Sequence, residues 1–249
     1  MREPSARGGK NPGARGRAVR GPDPAPAAVR TRRAFARARE LSGMSETPTV
    51  VAVNGSRRDG SYGRATLRYA LDAAAEYGAE PDFIDLGDPE LDVPLYHPDV
   101  DAADAGDVPD LLARMRHADG VLLCTPVYHD SYSSAFRSFH DWCSFDEYDD
   151  TVVGLFAVAG GGSYGGTLEH MRATIRGVHG WVAPLQVGIR NARNRFEPWD
   201  EGDRPPEGAI GADARYEFVD DALRERTMKL GRRIAHYAGH KDEFLDVPE

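Results

Sequence analysis

Three short stretches of this 249-residue chain carry side chains and backbone suited to chemistry. The first, NGSRRDGSYGR, runs from Asn54 to Arg64. Ser56 and Ser61 offer hydroxyls, and Gly55, Gly60 and Gly63 let the backbone turn and approach a ligand closely. An apolar run precedes the stretch and a helical pattern follows it. The N–H groups and dipole of a helix start favour an anion there. Arg57, Arg58 and Arg64 add positive charge, and the anion suggested is a phosphate. The spacing is not that of a Walker-type loop. A capped strand-to-helix turn with surface arginines is the plainer alternative.

The second stretch, TPVYHDSYSSAFRSFHDW, runs from Thr125 to Trp142. Pro126 ends a buried strand at the sheet edge. Tyr128 and His129 then project where a ligand would lie, and Ser131 is placed to cap the following helix. Backbone groups and a Tyr face suit a flat heterocycle. His129 is a candidate proton source, histidine being the side chain type that changes charge near neutral pH, with Tyr128 beside it. The alternatives are a half-buried aromatic and a solvent-facing histidine.

The third stretch, AGGGSYGG, spans Ala159 to Gly166 and contains G-x-G-x-x-G at Gly160, Gly162 and Gly165. A dinucleotide fingerprint normally opens the first strand–helix unit and carries an acid about 20 residues on. This copy follows the fourth expected strand, and PLQVGIRNA supplies no acid. A glycine-rich wall against a planar ligand explains it as well.

The elements that must position these stretches follow from periodicity. Strands are expected at 49–54, 81–86, 120–125, 151–159 and 180–188. Helices are expected at 61–78, 108–118, 131–145, 164–177 and 213–237, with a long acidic loop at 87–107 and a polar Pro/Gly-rich connection at 189–212. Strands alternating with helices give one α/β doubly wound parallel sheet. Five strands favour the flavodoxin-like order 2-1-3-4-5, whose ligands sit beyond the carboxyl ends of the strands, at the switch point beside strand 1. That rule selects the loops after strands 1, 3 and 4, which are the three stretches above.

Composition narrows the class. No apolar run approaches the roughly 20 residues needed to span a bilayer, and the basic N-terminus lacks the apolar segment of a secretory signal. Cys124 and Cys143 show no pairing pattern and read as free thiols of a reducing cytoplasm. No cysteine cluster suits zinc or iron–sulfur, and His236 and His240, four apart, read as surface histidines rather than metal ligands. Residues 1–43 hold 11 Lys and Arg against 3 Asp and Glu, leaving 20 basic and 37 acidic residues in 44–249. Lys229 and Lys241 are the lysines of that larger part. Such an acid excess with so little Lys resembles proteins of salt-loving archaea, where salt screens self-repulsion. It also argues against a nucleic-acid partner. Residues 1–43, rich in Arg, Pro, Gly and Ala, are expected to be disordered. Met44 opens MSETPTVVAVNGS, an ordinary start. The basic extension is therefore read as non-native, ahead of a nucleic-acid arm or a targeting peptide, and 44–249 as the domain.

Taken together, the three loops resemble the NAD(P)H-dependent FMN reductases, a group of flavodoxin-like quinone, chromate and azo-compound reductases. Their G-S-x-R-x-x-S pattern corresponds to Gly55-Ser56-Arg57-Arg58-Asp59-Gly60-Ser61. Their P-x-Y-x-x-S followed by a helix ending in D-W corresponds to Pro126–Ser131 and Asp141-Trp142, and their glycine-rich segment to Gly160–Gly166. The resemblance spans about 49–188 and departs from the usual pattern at Gly63, Val127 and His129. It implies non-covalent FMN, with Ser56, Arg58, Ser61 and Tyr62 at the phosphate. Pro126, Val127, Tyr128, His129 and Ser131 would line the ring, with Gly161, Gly162 and Ser163 at its other edge. It further implies hydride transfer from NADH or NADPH through FMN to a small acceptor such as a quinone or free flavin, and a homodimer or homotetramer. The competing readings are a non-enzymatic flavodoxin-type electron carrier, disfavoured because no T-G-x-T loop is present, and a flavin-free regulatory module.

Overall fold

The computed structural model describes residues 47–200 and 202–245. The expectations for residues 1–43 lie outside them. Five parallel strands form the sheet in the order β2-β1-β3-β4-β5. They are β1 (Thr49–Asn54), β2 (Glu80–Asp85), β3 (Gly120–Pro126), β4 (Val152–Val158) and β5 (Trp181–Ile189). The helices are α1 (Tyr62–Glu76), α2 (Val108–His117), α3 (Ser134–Trp142), α4 (Gly165–Gly177) and α5 (Asp221–Gly239).

Strand alternation builds two cores. Val50 and Ala52 point to a layer shared with α1 and α5, where Leu67, Ala70, Leu230 and Ile234 are buried. Val51 and Val53 point the other way, toward α2, α3 and α4, with Met115, Phe136, Phe139, Met171 and Ile175. Both faces of β1, β3 and β4 are covered, as a parallel sheet requires, so these strands read as continuous apolar runs. The in-register pairs Val53↔Leu123 and Leu123↔Leu155 bring the carboxyl ends of β1, β3 and β4 to one edge.

Three expectations are corrected. The terminal helix starts at Asp221, not at Asp213, because Tyr216–Phe218 (β7) pairs antiparallel with Phe196–Pro198 (β6). The connection at 189–212 therefore contains a strand, and Trp199 beside it packs against the α1/α5 core. The helix after β3 starts at Ser134 rather than Ser131, and Pro126 belongs to the strand, opposite Val158. Proline lacks an N–H, yet an end position of the strand tolerates it; the next donor, Val127 N–H, bonds Val158 O at 2.9 Å.

Candidate active site

The loop after β1 is held from three sides. Gly55 N–H donates to Cys124 O at 2.7 Å, tying it to β3. The Ser133 hydroxyl donates to Gly55 O at 2.5 Å, tying it to α3. On the far side Asp59 meets Arg215 at 3.2 Å, beside β7. Ser56 is buried, and its hydroxyl accepts from Arg58 N–H at 3.3 Å. Ser61 is also buried and caps α1, accepting from Gly63 N–H and Arg64 N–H at 3.1 and 3.3 Å. Arg57 and Arg58 are exposed. The backbone N–H groups of Arg57, Asp59 and Gly60 have no acceptor among the described residues. A turn with several free N–H groups, ahead of a 15-residue helix, has donors to offer an anion.

Two residues of this loop are committed elsewhere. Arg64 forms an ion pair with Asp85 at the end of β2, and Asp85 also accepts from Asn54 Nδ2 at 2.7 Å. The Tyr62 ring stacks on Phe196, with centroids 4.9 Å apart, and leans on Tyr216 at the same distance. Tyr62 thus fastens the start of α1 to the β6–β7 hairpin.

The loop after β3 is a two-residue hairpin. Tyr128 and Ser131 exchange backbone hydrogen bonds of 2.9 and 3.0 Å, and between them His129 and Asp130 have φ of 51° and 59°. Two successive residues with positive φ mark a type I′ turn, a conformation that Asp tolerates better than most residues. The turn thrusts Tyr128 and His129 into solvent, and Tyr128 is 54% exposed. Ser131 does not cap α3. Its hydroxyl meets His170 Nδ1 on α4 at 3.1 Å, while Ser133 caps α3 by accepting from Phe136 N–H at 3.1 Å. The Asp130 carboxylate lies against Gly166, so close that a Cβ on Gly166 would collide with it. The hairpin thereby leans on the first turn of α4.

The loop after β4 is bare. Gly160, Gly161, Gly162 and Ser163 are exposed, and a Cβ added at any of the three glycines would meet nothing within 4 Å. Gly162 has φ 51°, and the Ser163 hydroxyl accepts from Gly165 N–H at 3.2 Å. Among the described residues, no protein atom covers the side-chain face of these glycines, so a flat ligand can approach it. The structure therefore brings Ser56, Arg58 and Ser61 to one end of the carboxyl edge. Pro126, Val127, Tyr128, His129 and Ser131 stand in the middle, with Gly161, Gly162 and Ser163 on the other side.

Comparison with known proteins decides the family. Residues 48–194 match the model of the NADPH-dependent FMN reductases. The chain belongs to that family. It is an NAD(P)H-dependent oxidoreductase, with FMN and NAD(P)H as its cofactors. It is 32% identical over 177 residues to an NADPH azoreductase of Bacillus sp. (strain OY1-2), covering 71% of this chain and 89% of the relative. An FMN-dependent NADPH-azoreductase of Staphylococcus saprophyticus is 27% identical over 154 residues, 59% of this chain and 79% of that one. Among solved structures, an NADH:FMN oxidoreductase (EMOB) superposes with a TM-score of 0.57 at 15% identity, over 76% of this chain and 89% of that one. FerB, an NAD(P)H:(acceptor) oxidoreductase from Paracoccus denitrificans, does so at 0.57 and 18%, over 77% and 97%. These two attest the flavodoxin-like fold.

The residues of this reductase that sequence reasoning missed are the ones that join the loops. Ser133 links the first loop to the second and caps α3 together. Its signal was available: Phe136, Phe139 and Trp142 repeat at helical spacing and place the cap just ahead of them. Asp130 and His170 join the second loop to α4 across 36 and 39 positions of sequence, beyond any local pattern.

Proposed function

We infer that this chain takes hydride from NADPH or NADH and, by way of bound FMN, delivers it to a small acceptor such as a quinone, a free flavin or an azo compound. Convergence at the carboxyl edge carries this reading: a cradle with free N–H groups at Arg57, Asp59 and Gly60 faces a bare glycine backbone across an aromatic hairpin. Those three N–H groups hold the phosphate with Ser56, Arg58 and Ser61. Tyr62 supports them by stacking on Phe196.

Pro126, Val127, Tyr128, His129 and Ser131 orient the ring, and Gly161, Gly162 and Ser163 close its other edge. Bound FMN supplies the two-electron chemistry that the side chains lack. The protein supplies position and, through the exposed Tyr128 hydroxyl and His129 imidazole, a proton for the reduced acceptor. Azo compounds join the acceptor class because two relatives are azoreductases.

Residues 44–249 form the flavin-binding domain in this reading, and 1–43 take no part. The protein works as a cytoplasmic homodimer or homotetramer in a high-salt cell. The acid excess supports the last point: stability should rise with KCl as charge repulsion is screened.

An absorption spectrum followed by anaerobic titration with NADPH and NADH tests the reading. A yellow protein, or one that takes up FMN and bleaches on adding either reductant, is expected. A colourless chain that refuses FMN sinks it.

A further inference from the structure

Beside the glycine loop, on the β5 side, lies an open cavity of about 560 Å³. It begins at Gly162 and Ser163, where the proposed ring wall ends, and extends to Arg190 and Arg195 just past β5. Its size falls within the range of sites for small ligands and cofactors. The Tyr164 ring forms one wall, lying so flat on the Gly188 backbone that no side chain fits there. Leu223 adds an apolar patch to the lining.

The charges in this cavity do not cancel. Arg195 is held by Asp220, Nη1 to Oδ2 at 2.9 Å, and Asp220 is itself fixed by capping α5. Arg190 is exposed, and its side chain makes no ion pair or hydrogen bond among the described residues. The cavity lining thus carries two arginines against one aspartate, in a domain with 37 acidic and 20 basic residues. An uncompensated guanidinium at the mouth of a cleft, beside a hydroxyl and an aromatic ring, matches the phosphate-bearing end of a nucleotide: planar donors for the oxyanion, a flat surface for the base.

The geometry points to this cavity as the subsite for the phosphorylated adenosine end of the nicotinamide dinucleotide, with Arg190 as the phosphate-binding residue and Arg195 as its fixed neighbour. The assignment rests on the proposed flavin site. A reductant whose nicotinamide lies on the exposed ring must lead its other end away over one rim, and the β5 rim joins a cavity to Arg190, a guanidinium with no ionic partner among the described residues. An anionic acceptor, such as a carboxylated or sulfonated azo dye, presents the same kind of oxyanion and is the competing source.

Calorimetric titration of the FMN-loaded protein with 2′,5′-ADP and with 5′-AMP, at one fixed salt concentration, tests the assignment. The wild type should bind 2′,5′-ADP more tightly. Arg190→Ala should weaken 2′,5′-ADP by about tenfold or more and erase most of the discrimination, and Arg190→Lys should recover part of it. Arg193→Ala, three residues on and outside the cavity lining, should leave the affinity where it was. In steady state Arg190→Ala should raise KM for NADPH. A rise confined to KM for methyl red, whose carboxylate is anionic, with none for NADPH, would transfer the site to the acceptor and overturn the assignment. So would a 2′,5′-ADP affinity indifferent to Arg190→Ala. FMN uptake and bleaching are read separately, so a protein that bleaches normally yet ignores Arg190→Ala refutes the subsite alone.

Discussion

The two edges of the sheet are built on opposite principles. At the carboxyl edge the loops after β1, β3 and β4 leave polar groups unspent: free backbone N–H groups, an exposed Tyr128 and three glycines facing open space. At the amino edge polar groups are buried and paired. Asp119, 3% exposed, accepts from Thr49 N–H at 2.9 Å and pairs with Lys241 at 2.9 Å. Glu147, 1% exposed, meets Arg116 at 2.8 Å and closes a capping box on Ser144. Tyr148 is fully buried and its hydroxyl lies 3.3 Å from His140 Nδ1. Unsatisfied donors are tolerable where water or a ligand completes them and costly where neither can. One edge therefore leaves groups free for a ligand while the other spends them on stability, and substitutions should separate the two.

The largest separation is expected from Tyr148→Ala. Removing a fully buried ring leaves a cavity and strands the His140 nitrogen, a loss of about 3–5 kcal/mol by comparison with other buried aromatics. Urea unfolding should show that loss, while FMN affinity measured on the folded protein stays within about twofold of the wild type, since Tyr148 meets α3 at His140, seven positions past its Ser133 cap. A large drop in FMN affinity would break the division of labour.

Next comes a pH effect from the same cluster. Burial, reinforced by the nearby Arg137 charge, lowers the His140 pKa from 6.5 to about 4. Between those values the unfolded chain binds a proton that the folded chain does not. The contribution of His140 is therefore complete above pH 6.5 and is lost as pH falls toward about 4. The full loss is on the order of 3 kcal/mol. Carboxylates titrate in the same window, so the informative quantity is the difference between wild type and His140→Phe, which keeps a ring against Phe136 but has no proton to bind. Parallel stability–pH curves for the two proteins would refute the assignment.

How much of this was legible in the sequence depends on the range of the interactions. The β1 strand and its loop were readable because a β-branched run ending in glycine and followed by a helical phase is a local signal. The α1 start was readable from Ser61 for the same reason. The hairpin at His129 and Asp130 was not, because positive φ at two non-glycine residues comes from the Tyr128–Ser131 bridge rather than from residue preference. The β6–β7 hairpin was missed because its partners lie 20 residues apart, although the alternation of Tyr216 and Phe218 hinted at a strand. Arg64, counted among the phosphate-loop arginines, turns instead to Asp85, 21 positions away, and no spacing rule reports that. The loops proposed to bind were thus visible as loops. The contacts that orient them were not, because they join residues distant in sequence.

Ser133 sits between the two regimes. It is 3% exposed and deep in the fold, yet it bolts the loop after β1 to the loop after β3. Ser133→Ala removes a helix cap and the donor to Gly55 O together. A stability loss of about 1–2 kcal/mol is expected from denaturation curves. FMN should also bind more weakly, because the Gly55 turn ahead of the proposed phosphate cradle loses its anchor. A loss of stability with no change in FMN affinity would show that Gly55 N–H to Cys124 O, at 2.7 Å, suffices to set the loop.

The smallest effect on stability, and the sharpest test of the contrast, is expected from Tyr128→Ala. More than half of this side chain faces solvent, and no other protein ring stacks on it among the described residues. Its backbone makes the two hairpin hydrogen bonds, and alanine preserves both. The change in unfolding free energy should stay within about 0.5 kcal/mol. Turnover with a quinone or azo acceptor should nonetheless fall, because an aromatic surface and a hydroxyl are lost where ring and acceptor are proposed to meet. Tyr128→Phe divides the loss: recovered turnover assigns it to the aromatic face, and turnover still depressed assigns it to the hydroxyl as proton donor. Tyr148→Ala and Tyr128→Ala then form a pair, two tyrosines of one protein truncated at opposite edges. If Tyr128→Ala instead destabilises the fold by several kcal/mol and leaves turnover intact, the exposed hairpin belongs to the scaffold and the division between the edges fails.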